Sequence, residues 1–238
     1  MDRRTFLNAG GIAAVSAAVV GSHLIGTAAA QQATPAGGAK AYAPMPLPLD
    51  PKAVTGFSER LLSSHHANNY TGTVTRLNGI EAQLAALDFE TAPGFTVNGL
   101  KREQLIAGNS MILHELYFAG FGAGGDPQGA LAAALERDFG SVAKWRSEFA
   151  AVGKALGGGS GWVLLTFSPR LGRLVNTWAA DHTMTSADGT PILALDMYEH
   201  AYHMDFGAKA AAYVDAFMKV INWQGVAASY EKASTKPK

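Results

Sequence analysis

The sequence predicts an α+β fold, in which an N-terminal helical hairpin precedes a domain of helices around a small three-stranded antiparallel sheet. Helical patterns cover residues 58–87 and 102–118, and three short strand-like runs follow between residues 162 and 196. Glycine-rich runs at 120–125 and 157–161 separate these blocks. This order, helices first and then helices around strands, is typical of α+β proteins.

Residues 1–30 are typical of an export signal. Arg3 and Arg4 precede Phe6-Leu7, as in twin-arginine signals, and an apolar tract then ends in the small residues 28–30. A membrane anchor is the alternative, because the tract could span a bilayer. The polar, proline-rich residues 31–52 favour cleavage and predict an extended linker with little packed structure. We therefore expect a periplasmic or otherwise exported protein, without stable membrane insertion after cleavage.

Residues 53–124 are predicted to form the hairpin domain. Its first helix spans Ser58 to Leu87, with Ser58 as N-cap, and its second runs from Arg102 to Phe118. The stretch from Phe89 to Gly99 is expected to be a turn region, because it contains proline and glycine.

Residues 125–232 are predicted to form a C-terminal α/β metal-binding domain. A hairpin turn at 169–172 separates the first two of its three strands. The predicted helices are Gln128–Phe139, Val142–Leu156 and Ala208–Ser229, and the predicted strands are Trp162–Phe167, Leu174–Ala179 and Ile192–Asp196.

Composition excludes several classes of site. The chain has no cysteine, which rules out disulfides, thiolate nucleophiles and iron–sulfur clusters. The formal net charge is zero and no basic stripe is present, so no nucleic-acid partner is expected. Any bound metal must therefore be held by histidine and carboxylate.

The strongest local signal is Asp196, which ends an apolar strand, followed four residues later by His200. A carboxylate at the end of a buried strand is costly unless it is paired or metal-bound. Carboxylate and imidazole together suit iron, manganese or zinc. An ordinary strand end followed by a surface helix is the alternative.

The segment Asp196-Met197-Tyr198-Glu199-His200-Ala201-Tyr202 resembles the signature of the iron/manganese superoxide dismutases. Here Tyr198 replaces the tryptophan that is usual in that family. The segment from His114 to Phe118 resembles the family's second-helix ligand segment. Further matches are Gly124–Pro127, Phe139–Ser141, Gly159–Trp162 and Ile221–Trp223, so that the resemblance spans roughly residues 56–230.

The resemblance implies a mononuclear site with one iron or manganese ion per subunit and a water or hydroxide as fifth ligand. Its metal ligands would be His65, His114, Asp196 and His200. Aligning Leu77-Asn78 on the family's Leu-Asn pair selects His65. The competitor, His66, lies about 100° further around the helix and cannot face the same ion.

The same resemblance implies disproportionation of superoxide to dioxygen and hydrogen peroxide. His182 resembles a histidine that supports the metal's solvent ligand in some members, and a surface loop histidine is its alternative. Trp162 and Tyr198 are expected to wall the site. Glu199 resembles the glutamate that bridges to a partner's ligand histidine, so a homodimer through Glu199 and His200 is expected.

Three residues depart from the family's pattern. Asn69 and Thr73 stand where the family commonly has the histidine and tyrosine that gate the channel, and His203 stands where it often has tyrosine. A polar pair between Asn69 and His203 is a hypothesis. These departures motivate one alternative, a non-enzymatic or low-activity metal-binding relative. A zinc hydrolase is a third reading, with Glu199 as its one candidate base.

Overall fold

The computed structural model describes residues 41–235. The predicted export signal and the first part of the predicted linker lie outside the described residues. Residues 41–48, here called the N-terminal strap, contain no helix or strand. The strap is nevertheless bound to the first helix, which the prediction of little packed structure missed. Tyr70 Oη accepts from the Met45 amide at 2.8 Å, and His66 Nε2 lies 2.9 Å from the Met45 carbonyl.

The first helix is continuous from Glu59 to Ala86 but changes its winding. It comprises α1 (Glu59–Ser64), a π-helical segment (His65–Tyr70) and α2 (Thr71–Ala86). Ser58 caps α1 as predicted, because its hydroxyl accepts from the Leu61 amide at 3.0 Å. Wider π-helical turns are frequent at functional sites, and this one begins at His65.

Helix α3 (Gly94–Ala119) begins earlier than predicted. The turn predicted for Phe89–Gly99 is therefore wrong in its second half. Pro93 is the N-cap residue with φ −58° and ψ 137°, and the helix starts immediately after it. A glycine inside a helix costs about 1 kcal/mol. Packing of α3 on α2 outweighs this cost through a small apolar cluster of Leu77, Ile80, Leu84 and Ala107.

The C-terminal part contains helices and three strands, as predicted. Its elements are α4 (Gly129–Phe139), α5 (Val142–Ala155), β1 (Trp162–Ser168), β2 (Arg173–Ala179), β3 (Thr190–Asp196), α6 (His203–Phe206), α7 (Ala210–Phe217) and α8 (Trp223–Ser234).

The continuous helix predicted over Ala208–Ser229 is wrong, because α7 and α8 are separated at residues 218–222. Asn222 caps α8 by accepting from the Gly225 amide at 3.1 Å. Ile221 pairs with Phe121, which ties this break to the end of α3. The capping preference of asparagine explains why a new helix starts here.

The sheet has the order β2-β1-β3, and both pairings are antiparallel. Every residue of the central strand β1 is buried. The register places Trp162 directly opposite Asp196. Gly161 precedes Trp162 with φ +133°, and a Cβ there would lie 2.1 Å from the Ala179 carbonyl oxygen. Only glycine permits this close start to β1. The predicted α+β fold is confirmed, while the domain boundaries stay predictions.

Within residues 41–235, no helix combines the length and hydropathy required to cross a membrane.

Candidate metal centre

Four side chains converge between the helical pair and one end of the sheet. His65 begins the π-helical segment, His114 lies near the end of α3, and Asp196 ends β3. His200 lies in the short 3-10 turn after β3. Each residue offers one ligand atom, and these atoms all lie within 4.8 Å of one another. The structure thus brings together all four metal ligands that the resemblance implies.

The arrangement is centred on one carboxylate oxygen. Asp196 Oδ2 lies 3.3 Å from His65 Nε2, 3.6 Å from His114 Nε2 and 3.3 Å from His200 Nε2. Metal–ligand bonds of about 2.1 Å at angles of roughly 90–120° separate neighbouring ligand atoms by about 3.0–3.6 Å. The observed separations therefore fit one ion held by three imidazoles and a carboxylate.

The burial of the ligands supports the same conclusion. His65, His114 and Asp196 are almost completely inaccessible to solvent. Both ring nitrogens of His65 and Nε2 of His114 make no hydrogen bond within residues 41–235. An unsatisfied buried polar group costs about 1–3 kcal/mol, so such groups require an explanation. A metal ion would satisfy the two Nε2 atoms.

Protonation states in this cluster suit metal binding. Burial lowers the pKa of His65 and lowers that of His114 to about 3, so both rings are neutral near pH 7. Burial by itself raises the pKa of Asp196, but the close His200 and His65 imidazoles, each with Nε2 at 3.3 Å from Oδ2, outweigh burial and hold this pKa below its usual range. Neutral imidazole and ionised carboxylate are the forms that bind metals.

Backbone and side-chain donors fix the orientation of Asp196. Its Oδ1 accepts from the Tyr198 amide at 2.8 Å. Tyr213 Oη donates to the Asp196 carbonyl at 2.6 Å and lies 3.2 Å from Tyr117 Oη. The Tyr198 amide therefore orients the carboxylate, while Tyr213 of α7 fixes the backbone of Asp196 at the end of β3.

The three predicted catalytic residues form one wall of the site. Trp162 Nε1 donates to His182 Nδ1 at 2.9 Å, and the Trp162 ring lies edge-on to His114 at 5.3 Å. Tyr198 is stacked between His182, at 4.8 Å and 12°, and His200, at 5.4 Å and 15°. Because His182 Nδ1 accepts from the indole, a neutral His182 carries its proton on Nε2.

The remaining residues considered above lie outside the cluster. His66 contacts the strap rather than the four ligands. Tyr70, on the same helix, donates to Glu115 Oε1 at 2.9 Å. Asn69 and His203 make no hydrogen bond with each other within the described chain, and His203 is exposed. Thr73 Oγ1 lies 3.1 Å from Ser110 Oγ.

Sequence reasoning missed three residues that support the site. Ser110 accepts from His114 Nδ1 through its carbonyl at 2.7 Å. Asn109 donates to the His182 carbonyl at 2.6 Å, and Tyr213 holds Asp196 from α7. The position of Ser110, one helical turn before His114, was a usable signal. No local pattern points to Asn109 or Tyr213.

Comparison with known proteins agrees with this geometry. The family "Iron/manganese superoxide dismutases, C-terminal domain" matches residues 127–229. The chain is 66% identical to "Superoxide dismutase [Fe]" of Cupriavidus metallidurans over 81% of this chain and 98% of that protein. It is 36% identical to "Superoxide dismutase [Mn] 1" of Halobacterium salinarum over 80% and 96%. It is 33% identical to "Superoxide dismutase [Fe]" of Aquifex pyrophilus over 78% and 89%. With three histidines and one aspartate converging as this family's signature implies, the chain belongs to the iron/manganese superoxide dismutase family.

Proposed function

We propose that the protein is a superoxide dismutase, which converts two superoxide anions and two protons into dioxygen and hydrogen peroxide. The observation that carries this function is the convergence of three imidazole Nε2 atoms on Asp196 Oδ2 in a buried site. The match to this chain extends over nearly the whole length of relatives named as iron and as manganese superoxide dismutases.

His65, His114, Asp196 and His200 would hold one iron or manganese ion. That ion would supply one-electron redox chemistry between the +3 and +2 oxidation states. The single carboxylate charge of Asp196 favours the +3 state, whereas the three neutral imidazoles add no charge. The same ligand set serves iron and manganese.

The second half of the reaction consumes protons that solvent must supply, and His182 is suited to hydrogen-bond solvent at the site. Trp162 occupies its Nδ1, which leaves Nε2–H as the hydrogen-bond donor that His182 can offer. Burial lowers the pKa of His182, so the neutral form with a proton on Nε2 is favoured. Tyr198 keeps the His182 ring parallel to His200 by stacking between them.

The proposal includes export and a homodimer. Twin-arginine-like Arg3-Arg4 and the small residues at 28–30 support a signal for the periplasm or another exported location. Glu199 is exposed beside His200, and its carboxylate makes no hydrogen bond or ion pair within residues 41–235. In the proposed homodimer, a ligand histidine of the partner subunit would donate a hydrogen bond to that carboxylate. An Asn69–His203 pair would likewise have to form across the dimer interface.

The decisive experiment measures metal and activity together. The naturally exported protein would be analysed for iron and manganese, and the apoprotein would be reconstituted with each ion separately. We expect about one ion per subunit and rapid dismutation by at least one form, followed directly by superoxide decay after pulse radiolysis. Determining the N-terminal residue of the exported protein tests signal cleavage, and light scattering tests the dimer.

Asn69 and Thr73 support a second candidate function, because they replace the residues that commonly gate the family's channel. In that case the protein binds the metal without rapid turnover. Stoichiometrically loaded protein that leaves superoxide decay at its uncatalysed rate would establish this alternative. Reconstitution with zinc serves as the inactive control, because zinc has no redox chemistry.

A further inference from the structure

Two hydroxyl groups lie behind His114, on the side away from Asp196. Ser110 Oγ is 3.3 Å from His114 Nδ1, and Thr73 Oγ1 is 3.1 Å from Ser110 Oγ. Ser110 is buried, whereas Thr73 is half-buried on the neighbouring helix α2. The two hydroxyls therefore connect α2 to a metal ligand on α3.

The direction of these bonds follows from the site. His114 Nε2 faces the other ligand atoms, so a ring that binds an ion through Nε2 must carry its proton on Nδ1. That N–H donates to the Ser110 carbonyl at 2.7 Å and also faces the Ser110 hydroxyl. Ser110 Oγ is therefore the second, longer acceptor of that one hydrogen, and its own hydrogen is free to be donated to Thr73 Oγ1.

His65 provides the contrast. It is the other fully buried helical ligand, and its Nδ1 makes no hydrogen bond within the described chain. Only His114, of these two, has polar groups that fix its ring and increase the electron density on Nε2. Hydrogen bonds to the outer nitrogen of a ligand histidine raise its basicity and set its orientation.

We propose that Thr73 and Ser110 act as a pair of positioning residues that tune His114 as a metal ligand. Thr73 acts through Ser110 and touches neither the metal nor the substrate. The redox consequence rests on the proposed function, because it assumes an ion that changes oxidation state. A more basic His114 favours the +3 state, so loss of either hydroxyl raises the reduction potential and weakens metal retention.

The test compares threonine variants of α2 in the full-length, iron-loaded protein. Thr73→Val removes the hydroxyl at nearly constant shape. Thr75→Val is the matched control, because the exposed Thr75 hydroxyl bonds only to the Thr71 carbonyl of its own helix. Thr73→Ser restores the hydroxyl. The readouts are the reduction potential by redox titration and metal affinity by chelator competition.

We expect Thr73→Val to weaken metal retention about three- to tenfold, within the lower range known for outer-shell partners. A tenfold change in relative affinity for the two oxidation states raises a one-electron potential by about 59 mV. Thr73→Ser should restore both values, and Thr75→Val should change neither. Ser110→Ala should have a larger effect, and adding Thr73→Val to it should change nothing further.

Equal values for Thr73→Val and Thr75→Val would overturn the proposal, as would additive effects in the double variant. If Ser110→Ala does not fold, the three threonine variants alone decide the question. These readouts do not depend on turnover. Protein that shows the expected shifts but does not dismute superoxide would refute the proposed function while supporting this pair.

Discussion

The C-terminal and N-terminal halves of the metal centre hold their ligands by different means. Asp196 and His200 lie four positions apart along one strand and turn, and Asp196 is bound by the Tyr198 amide and by Tyr213. His65 and His114 come from separate helices, and three of their four ring nitrogens make no hydrogen bond in the described chain. The polar groups of Asp196 thus find hydrogen-bond partners within the protein. The buried ring nitrogens of His65 and His114 that face the site would find a partner only in a metal ion.

This difference shows how one site combines a preset ligand position with tight binding of a metal ion. The Tyr198 amide orients the Asp196 carboxylate and Tyr213 fixes the Asp196 backbone before any ion binds, which reduces the reorganisation that binding requires. Buried imidazoles without partners raise the free energy of the apoprotein, and an ion that removes this penalty binds more tightly as a result. The following variants separate the two contributions.

The largest effect is expected from Asp196→Asn, which keeps the shape of the side chain but removes the charge at the centre of the site. Metal affinity should fall by more than the roughly 100-fold that marks the upper range for outer-shell changes. Chelator competition measures it. Asp205→Asn is the control, because Asp205 is exposed and binds only Ser58. Stoichiometric, tightly bound metal in Asp196→Asn would contradict the central role of this carboxylate.

His65→Ala and His66→Ala test the N-terminal half. The first variant should lose about 100-fold in metal affinity, because one of the four ligand atoms is removed. The second should retain the metal and lose about 1 kcal/mol in free energy of unfolding, since its bond to the Met45 carbonyl is lost. Metal analysis and urea unfolding measure the two quantities. An emptied site in His66→Ala together with an intact one in His65→Ala would reverse the assignment.

Acid should destabilise the apoprotein through the N-terminal ligands. The pKa of His114 is about 3 in the folded state, against about 6.5 when unfolded, so the unfolded state binds more protons between these values. Stability is therefore complete above about pH 6.5 and is lost as the pH falls, by up to about 1.4 kcal/mol per pH unit for this histidine. Urea unfolding between about pH 7.5 and 5.5 measures the slope. His114→Gln should reduce it, and an unchanged slope would contradict the burial effect.

The smallest effect is expected at the sheet. Trp162→Phe keeps an aromatic ring beside His114 but removes the donor to His182 Nδ1, so His182 no longer holds one tautomer. Dismutation should slow about fivefold, which corresponds to about 1 kcal/mol for one hydrogen bond. Trp178→Phe, at an exposed position of β2, is the control and should leave the rate unchanged. Equal rates for the two variants would remove the indole from the mechanism.

Helical periodicity, capping and turn residues were sufficient to predict most elements. Ser58 as N-cap and the three strands were confirmed, because these features depend on neighbours in sequence. The early start of α3 at Gly94 and the break before α8 were missed. Glycine and asparagine at those places are local signals whose outcome depends on packing between helices.

The sequence by itself determined the family, the fold class and the short Asp196–His200 motif, because both residues lie within one strand and one turn. Only the tertiary structure decided that the helix widens at His65, that Tyr213 holds Asp196 and that Thr73 reaches His114 through Ser110. These contacts join residues far apart in the chain. Their geometry depends on how α2, α3, α7 and the sheet pack together, and a periodic pattern within one element carries no information about that packing.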